Sequence, residues 1–392
     1  MTPLGVYVHF PFCERLCPYC DFAVRVSQAP PHDSYADGVL AELAARAPRY
    51  AGRSLETIYL GGGTPGMWRP DAVARVLDAV ARAFPRTGAG ALEITCEVNP
   101  EGASPAALAG LRAAGVNRLS LGVQALAPRA LAQLGRAHDP AHATSAMAWA
   151  RAAGFDDISL DLIYALPGAP AGELAATLAG VVALAPEHVS AYALTIEERT
   201  RFGALARRGA LLPPEADAVA DDFELTHATL TSAGFEHYEV SSYARPGHRS
   251  RHNASYWSGA EYLGLGVSAH SLRRLPDGRL ERYASPRALQ AWTRGVAALT
   301  AAPALTDEAA AAALEADPLA ELHELLGPRD AAFERVFLGL RTSDGVAEVD
   351  LAEHAAALPE MVAAGLITRE NGRVCPTPRG MLLGDALALK LG

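Results

Sequence analysis

Three of the chain's five cysteines, Cys13, Cys17 and Cys20, fall within eight residues in the run HFPFCERLCPYCDF. Thiolates are soft anionic ligands, and three on one short segment can converge on one metal centre. Structural zinc takes four closed ligands. His9 is the candidate for a fourth, but it lies on the strand before the loop and points inward. Cubane iron–sulfur clusters are held by thiolates, ordinarily four. Three leave one iron with an open position that a substrate or cofactor can fill. An open site serves chemistry and a closed one serves structure, so the spacing favours a cluster over zinc. Cys96 and Cys375 stand alone; Cys96 reads as a buried apolar filler, and Cys375 is given no role.

These ligands need a frame. Apolar runs at Val6–Phe10, Thr57–Gly61, Leu92–Val98, Arg118–Val123, Asp156–Leu162 and His188–Ala193 read as strands. Ala-rich stretches of helical spacing lie between them, including Asp71–Ala83, Pro105–Ala114 and Asp139–Ala153. Six strand–helix units predict a parallel sheet wound by right-handed crossovers. Each strand is two-sided: Leu92, Ile94, Cys96 and Val98 share one face, and Glu93, Thr95 and Glu97 the other. A doubly wound sheet makes both faces apolar. One polar face per strand instead predicts a barrel whose lumen opens to a ligand, and six units make it partial, a (β/α)6 arrangement. Glu97, Gln124 and Asp161 fall at the C-terminal strand ends, where barrel active sites sit.

Domain organisation follows. Residues 1–200 read as the partial barrel and 201–300 as an extension. The extension has a helix over Pro213–Gly234, a strand in HYEVSSYA and a Gly-rich loop through Gly266. Residues 301–330 read as a helical linker or insertion. The tail, 331–392, has helices and then a strand–turn–strand in AAGLITRENGRVCPTPRG, a small winged-helix-like domain. Acidic residues (44 Asp+Glu) outnumber basic ones (34 Lys+Arg), giving a net charge of −10. That balance argues against nucleic acid as a partner, because such surfaces are basic. A packing or lid role therefore suits the tail better. The N-terminal run has no signal-peptide pattern. The longest apolar stretch, Leu174 to Ala185, is too short to span a bilayer, so the expectation is a cytoplasmic protein that is not integral to a membrane.

The three-cysteine motif, with Tyr19 before the last cysteine, resembles the radical S-adenosylmethionine (SAM) superfamily. Several further motifs stand in order: YVHFPFC, GGGTP at 61–65, CEVNPE at 96–101, RLSLGVQ at 118–124, LGRAH at 134–138 and DLIYALPG at 161–168. Together they resemble the oxygen-independent coproporphyrinogen III oxidase group, including its haem-chaperone branch, the HemW family. The resemblance implies a partial radical SAM barrel and a 4Fe-4S cluster on Cys13, Cys17 and Cys20. It also implies SAM on the unique iron, cleavable to a 5′-deoxyadenosyl radical when the cluster is reduced. By resemblance, Tyr7, Gly62, Gly63, Thr64, Glu97, Gln124, Arg136 and Asp161 contact SAM.

Two positions separate the branches. The oxidases typically carry a fourth cysteine two residues after the third, where this chain has Phe22, and a long extension before the cluster. Both departures point to the chaperone branch, whose HNxxYW signature matches Arg251–Trp257, RHNASYW. The resemblance makes His252 a candidate axial ligand to haem iron, with His270 second. Arg249 and Arg251 are candidate partners for haem propionates. The expected function is a chaperone that binds haem and delivers it to an acceptor protein whose identity leaves no trace in the sequence. The alternative is oxidative decarboxylation of coproporphyrinogen III to protoporphyrinogen IX.

Overall fold

A computed structural model of the chain describes residues 1–88, 90–299 and 317–391. Six parallel strands form its centre: β1 (Thr2–Phe10), β2 (Arg53–Gly62), β3 (Glu93–Val98), β4 (Arg118–Gln124), β5 (Ile158–Tyr164) and β6 (His188–Ala193). They pair in sequence order. The two-sided pattern explains their placement. Leu4, Val6, Val8 and Phe10, with Ile58, Leu60, Ile94, Cys96, Leu119, Leu121 and Leu160, pack outward into one continuous core. Helices α1 (His32–Arg46), α2 (Pro70–Ala83), α3 (Pro105–Ala113), α4 (Pro140–Ala152) and α5 (Glu173–Ala183) cover that face. In α2 the buried positions Ala72, Val73, Val76, Leu77 and Val80 follow the helical period. Ser104 caps α3, and Asp139 with His142 forms a capping box on α4. Thr57, Tyr59, Thr95, Glu97, Ser120, Asp161 and Ser190 fall on the opposite pleat and face the lumen.

The sheet does not close on itself. After α6 (Ala216–Ser232), a tight pair, β7 (Glu236–Glu239) and β8 (Ser242–Ala244), adds antiparallel to β6. The chain then crosses to the other edge through α7 (Arg251–Trp257), and β9 (Glu261–Leu265) pairs in parallel with β1. Strands β10 (His270–Arg274), β11 (Leu280–Ala284) and β12 (Leu322–Leu326) extend it antiparallel, with α8 (Leu289–Leu299) between β11 and β12. The result is one twelve-stranded sheet, ordered β12-β11-β10-β9-β1-β2-β3-β4-β5-β6-β8-β7. A buried ionic cluster pins the extension to α1. Arg49 Nη2 and Arg273 Nη2 each lie 2.9 Å from Glu281, and Arg46 lies 3.2 Å from Glu42 and 3.0 Å from Asp317. Glu42 also accepts from Gly266 N, Ser285 Oγ and Trp292 Nε1.

Two expectations change here. The RHNASYW run is a seven-residue helix, α7, because Ser250 caps it and Glu93 accepts two of its backbone N–H groups. Of the helical linker expected over 301–330, residues 301–316 lie outside the described residues. Within the rest, Leu322–Leu326 is a strand, set by its antiparallel pairing with β11 rather than by a local pattern. Beyond it, helix α9 (Pro328–Gly339), a short helix at Leu358–Ala363 and the hairpin Ile367–Glu370/Arg373–Pro376 surround a separate small core. Asn371 and Gly372, both at positive φ (52° and 72°), make the tight turn of that hairpin. Among the described residues no helix is long and apolar enough to cross a membrane.

Candidate functional site

The segment after β1 is held from below. Phe12–Cys13 pairs with Arg25–Val26, and Ser27 N donates to Cys13 O. His9 takes Tyr7 Oη on Nδ1 (3.1 Å) and donates from Nε2 to Ala23 O (3.0 Å). Burial lowers its pKa to about 4, which keeps the ring neutral. With both nitrogens engaged, His9 braces the loop and is not a fourth ligand. Cys13, Cys17 and Cys20 are half-buried on this loop. Thr64 Oγ1 lies 3.5 Å from Cys13 Sγ, and Arg136 Nη1 lies 3.7 Å from Cys17 Sγ. Burial pushes the Cys13 thiol up to about 11 and raises that of Cys20, so bound metal must displace their protons. Among the described residues no three His, Cys, Asp or Glu side chains gather closely enough for a single metal ion. Three thiols on one braced loop beside a cavity, with a donor to each of two sulfurs, fit the three-thiolate side of a multi-iron cluster.

A cavity of about 640 Å³ runs from this loop into the lumen, within the range of small-molecule sites. Gly62, Gly63, Thr64, Glu97, Gln124, Arg136 and Asp161 line it with the three cysteines. Tyr7 stands beside it, stacked on Tyr59. The glycines of GGGTP have separate reasons. Gly62 sits at φ 108°, where a Cβ would lie 2.5 Å from the His9 ring; one on Gly63 would lie 2.7 Å from Phe12 O. The same turn is stitched to the incoming strand by Gly63 N to Phe10 O and Thr64 N to Phe12 O, both 2.8 Å.

Glu97 accepts from Tyr59 Oη (2.9 Å) and Gly62 N (3.1 Å). Burial, with the Asp161 charge nearby, lifts its carboxyl to about 7. Asp161 accepts from Ser120 Oγ at 2.8 Å, and burial raises its pKa as well. Gln124 ends β4 in the left-handed region at φ 65°, a backbone strain located at the cavity rim. Arg136 is tethered: Nη2 donates to Asn99 Oδ1 (2.6 Å), Gly122 O (3.0 Å) and Glu101 Oε2 (3.2 Å). Its guanidinium therefore serves the cluster loop as well as the cavity.

His252 is elsewhere. It lies on α7 below the lumen, 1% exposed, and does not line the cavity. Nδ1 is 2.8 Å from Thr57 Oγ1, Nε2 is 2.8 Å from Tyr256 Oη, and the ring stacks on Tyr59. Burial lowers its pKa to about 3. Both nitrogens of the expected haem ligand are thus hydrogen-bonded in this structure, Nδ1 to Thr57 on β2 and Nε2 to Tyr256 one turn further along α7 itself. His270 sits on β10 of the extension, and Arg249 pairs with Glu236 and Asp344, away from the cysteine loop. Sequence reasoning also passed over supporting residues. Asn99, Glu101 and His138 bind one another through Arg136 or directly, His138 Nδ1 lying 2.9 Å from Glu101. They were visible as the polar residues of NPE and RAH. Tyr59 and Arg118 line the lumen, and their pleat position was the available signal.

Comparison with known proteins joins this geometry to a lineage. The radical SAM superfamily profile matches residues 7–179, and the HemN C-terminal domain profile matches 326–383. A protein of Mycobacterium tuberculosis named haem chaperone HemW is 36% identical over 395 residues, covering 99% of this chain and 95% of its own. The chain belongs to the HemW family. HemW of Bacillus subtilis is 30% identical, covering 97% of each chain. HemW of Escherichia coli is 38% identical over 75% of this chain and 77% of its own. The structure of coproporphyrinogen III oxidase (HemN) from Escherichia coli superposes with a TM-score of 0.78 at 24% identity, covering 100% of this chain and 90% of that one. That likeness establishes the shared fold. As a radical SAM protein, this HemW family member has a 4Fe-4S cluster and SAM as its cofactors.

Proposed function

We propose that the chain is a haem chaperone: it binds haem and hands it to an acceptor protein. Cys13, Cys17 and Cys20 hold the cluster. Gly62, Gly63, Thr64, Glu97, Gln124 and Asp161 receive SAM, with Tyr7 and Arg136 bracing the site. The observation that carries the reading is the kinship, across 99% of the chain, with a protein named as a haem chaperone. Phe22 supports it. The side chain is 66% exposed at the cavity mouth, where a fourth thiol would stand in the oxidases. Bound SAM and the reduced cluster supply one-electron chemistry. The chain's own part is to seat the ribose on two carboxylates and to shield the sulfurs behind Thr64 and Arg136. A reducing cytoplasm suits a cluster held by exposed-loop thiolates.

The test is product analysis under anaerobic conditions. The reconstituted protein, given coproporphyrinogen III, SAM and a strong reductant, is expected to form no protoporphyrinogen IX while binding haem saturably. Sustained decarboxylation would replace this reading with the oxidase.

A further inference from the structure

The lumen floor carries a buried cation, Arg118, whose ion pair with Asp157 leaves its N–H donors without hydrogen bonds. Arg118 opens β4 in register with Thr95, while Ser120 two residues on is in register with Glu97. It therefore lies one pleat repeat, about 6.6 Å, below the level of Glu97. The residue is 2% exposed, and it lines the cavity. Its side chain makes no hydrogen bond to any described residue: Nε and Nη2 are sealed from solvent without a partner. Asp157, the carboxylate in ion-pair range, stands 3.5 Å from Nε. Glu93 acts on Arg118 by its charge, but both its oxygens accept from the N–H groups of Arg251 and His252 and neither accepts from the guanidinium. Asp161 is held by Ser120 and Ser159. A buried guanidinium with idle donors is unfavourable unless something accepts from them.

Asn253, the second residue of the HNASYW signature, lines the same cavity. Its backbone N–H bonds Ser250 Oγ, but its side-chain amide has no partner among the described residues. The signature thus divides its work. His252 locks α7 to β2, and the locked helix presents Asn253 to the same cavity that Arg118 lines. A planar fork of N–H donors with an added amide N–H is matched by a carboxylate.

We infer that Arg118 and Asn253 form a carboxylate subsite at the lumen floor, and that it takes a propionate of haem. The inference rests on the haem-binding reading above. A propionate is a carboxylate on a two-carbon arm, the group by which haem offers negative charge to such a fork of donors. SAM also carries a carboxylate, so the two sources must be separated.

The experiment compares haem with haem dimethyl ester, whose propionates are uncharged, on the anaerobically reconstituted full chain by Soret titration. SAM affinity is measured in parallel by calorimetry. The parent is expected to prefer haem over the ester by about tenfold or more. Arg118→Met and Asn253→Ala are expected to lose that preference while keeping SAM affinity. Asn253→Ala removes a side chain with no partner, so it tests the site even if Arg118→Met fails to fold. Equal affinity of the parent for haem and ester would overturn the subsite and leave the chaperone reading standing. So would a preference that survives both substitutions, or one that survives while SAM affinity collapses. Absence of saturable haem binding by the parent would overturn both.

Discussion

Glu97 is poised between two protonation states because it is buried beside Asp161 yet held by Tyr59 and Gly62. Its folded pKa, about 7, lies above the ordinary 4.5. Its contribution to stability is therefore fully present below 4.5 and lost as pH rises through about 7. Urea denaturation of the unliganded protein should show that slope, and Glu97→Gln should flatten it. Ribose hydroxyls favour the ionised carboxylate, so SAM should bind more tightly as pH rises through the same range; a flat profile would remove Glu97 from the ribose site. His252 makes the opposite kind of claim. His252→Ala strands the Thr57 and Tyr256 hydroxyls and should cost about 2–4 kcal/mol in urea denaturation. In His252→Gln the Soret maximum and electron paramagnetic resonance of bound haem should be unchanged. A change to a five-coordinate spectrum would restore His252 as the iron ligand.

At the scale of elements, the partial barrel was legible because each strand writes its two faces into alternate residues. Glu93, Thr95 and Glu97 against Ile94, Cys96 and Val98 is enough to tell lumen from core. The extension was less legible. The HNASYW helix depends on Glu93, more than 150 residues away in sequence, whose carboxylate caps its first turn. Strand β12 depends on pairing with β11, and no local pattern announces that. His252 illustrates the same limit: a motif names a residue, but tertiary partners decide whether its nitrogens are free. The ionic cluster of Arg49, Arg273 and Glu281 joins the turn after α1 to the extension across the same gap. Glu281→Ala would take the shared carboxylate from two buried guanidinium groups, at a cost of about 3–5 kcal/mol. Thermal unfolding should fall accordingly, whereas Glu324→Ala, whose carboxylate is partly exposed, should change it little.

For the molecule as a whole, the cysteine loop, the lumen and α7 form one axis along the barrel. The loop proposed to hold the cluster lies at its open end, the residues proposed to receive SAM at the rim and the HNASYW helix beneath. The net charge of −10 surrounds this axis with an acidic surface. The C-terminal module should therefore not bind duplex DNA at physiological salt, and a mobility-shift titration checks this. Composition made that much legible, whereas the depth of the lumen and the placement of Arg118 at its floor appear only once β4 is in register with β3. The account's central claim is that this cavity-bearing, cluster-holding chain carries haem. The direct measurement is an anaerobic Soret titration of haem into protein reconstituted with iron and sulfide, with iron, sulfide and haem counted per chain. Saturation at one haem beside one 4Fe-4S cluster is the predicted result. A cluster-loaded protein that takes up no haem would contradict it.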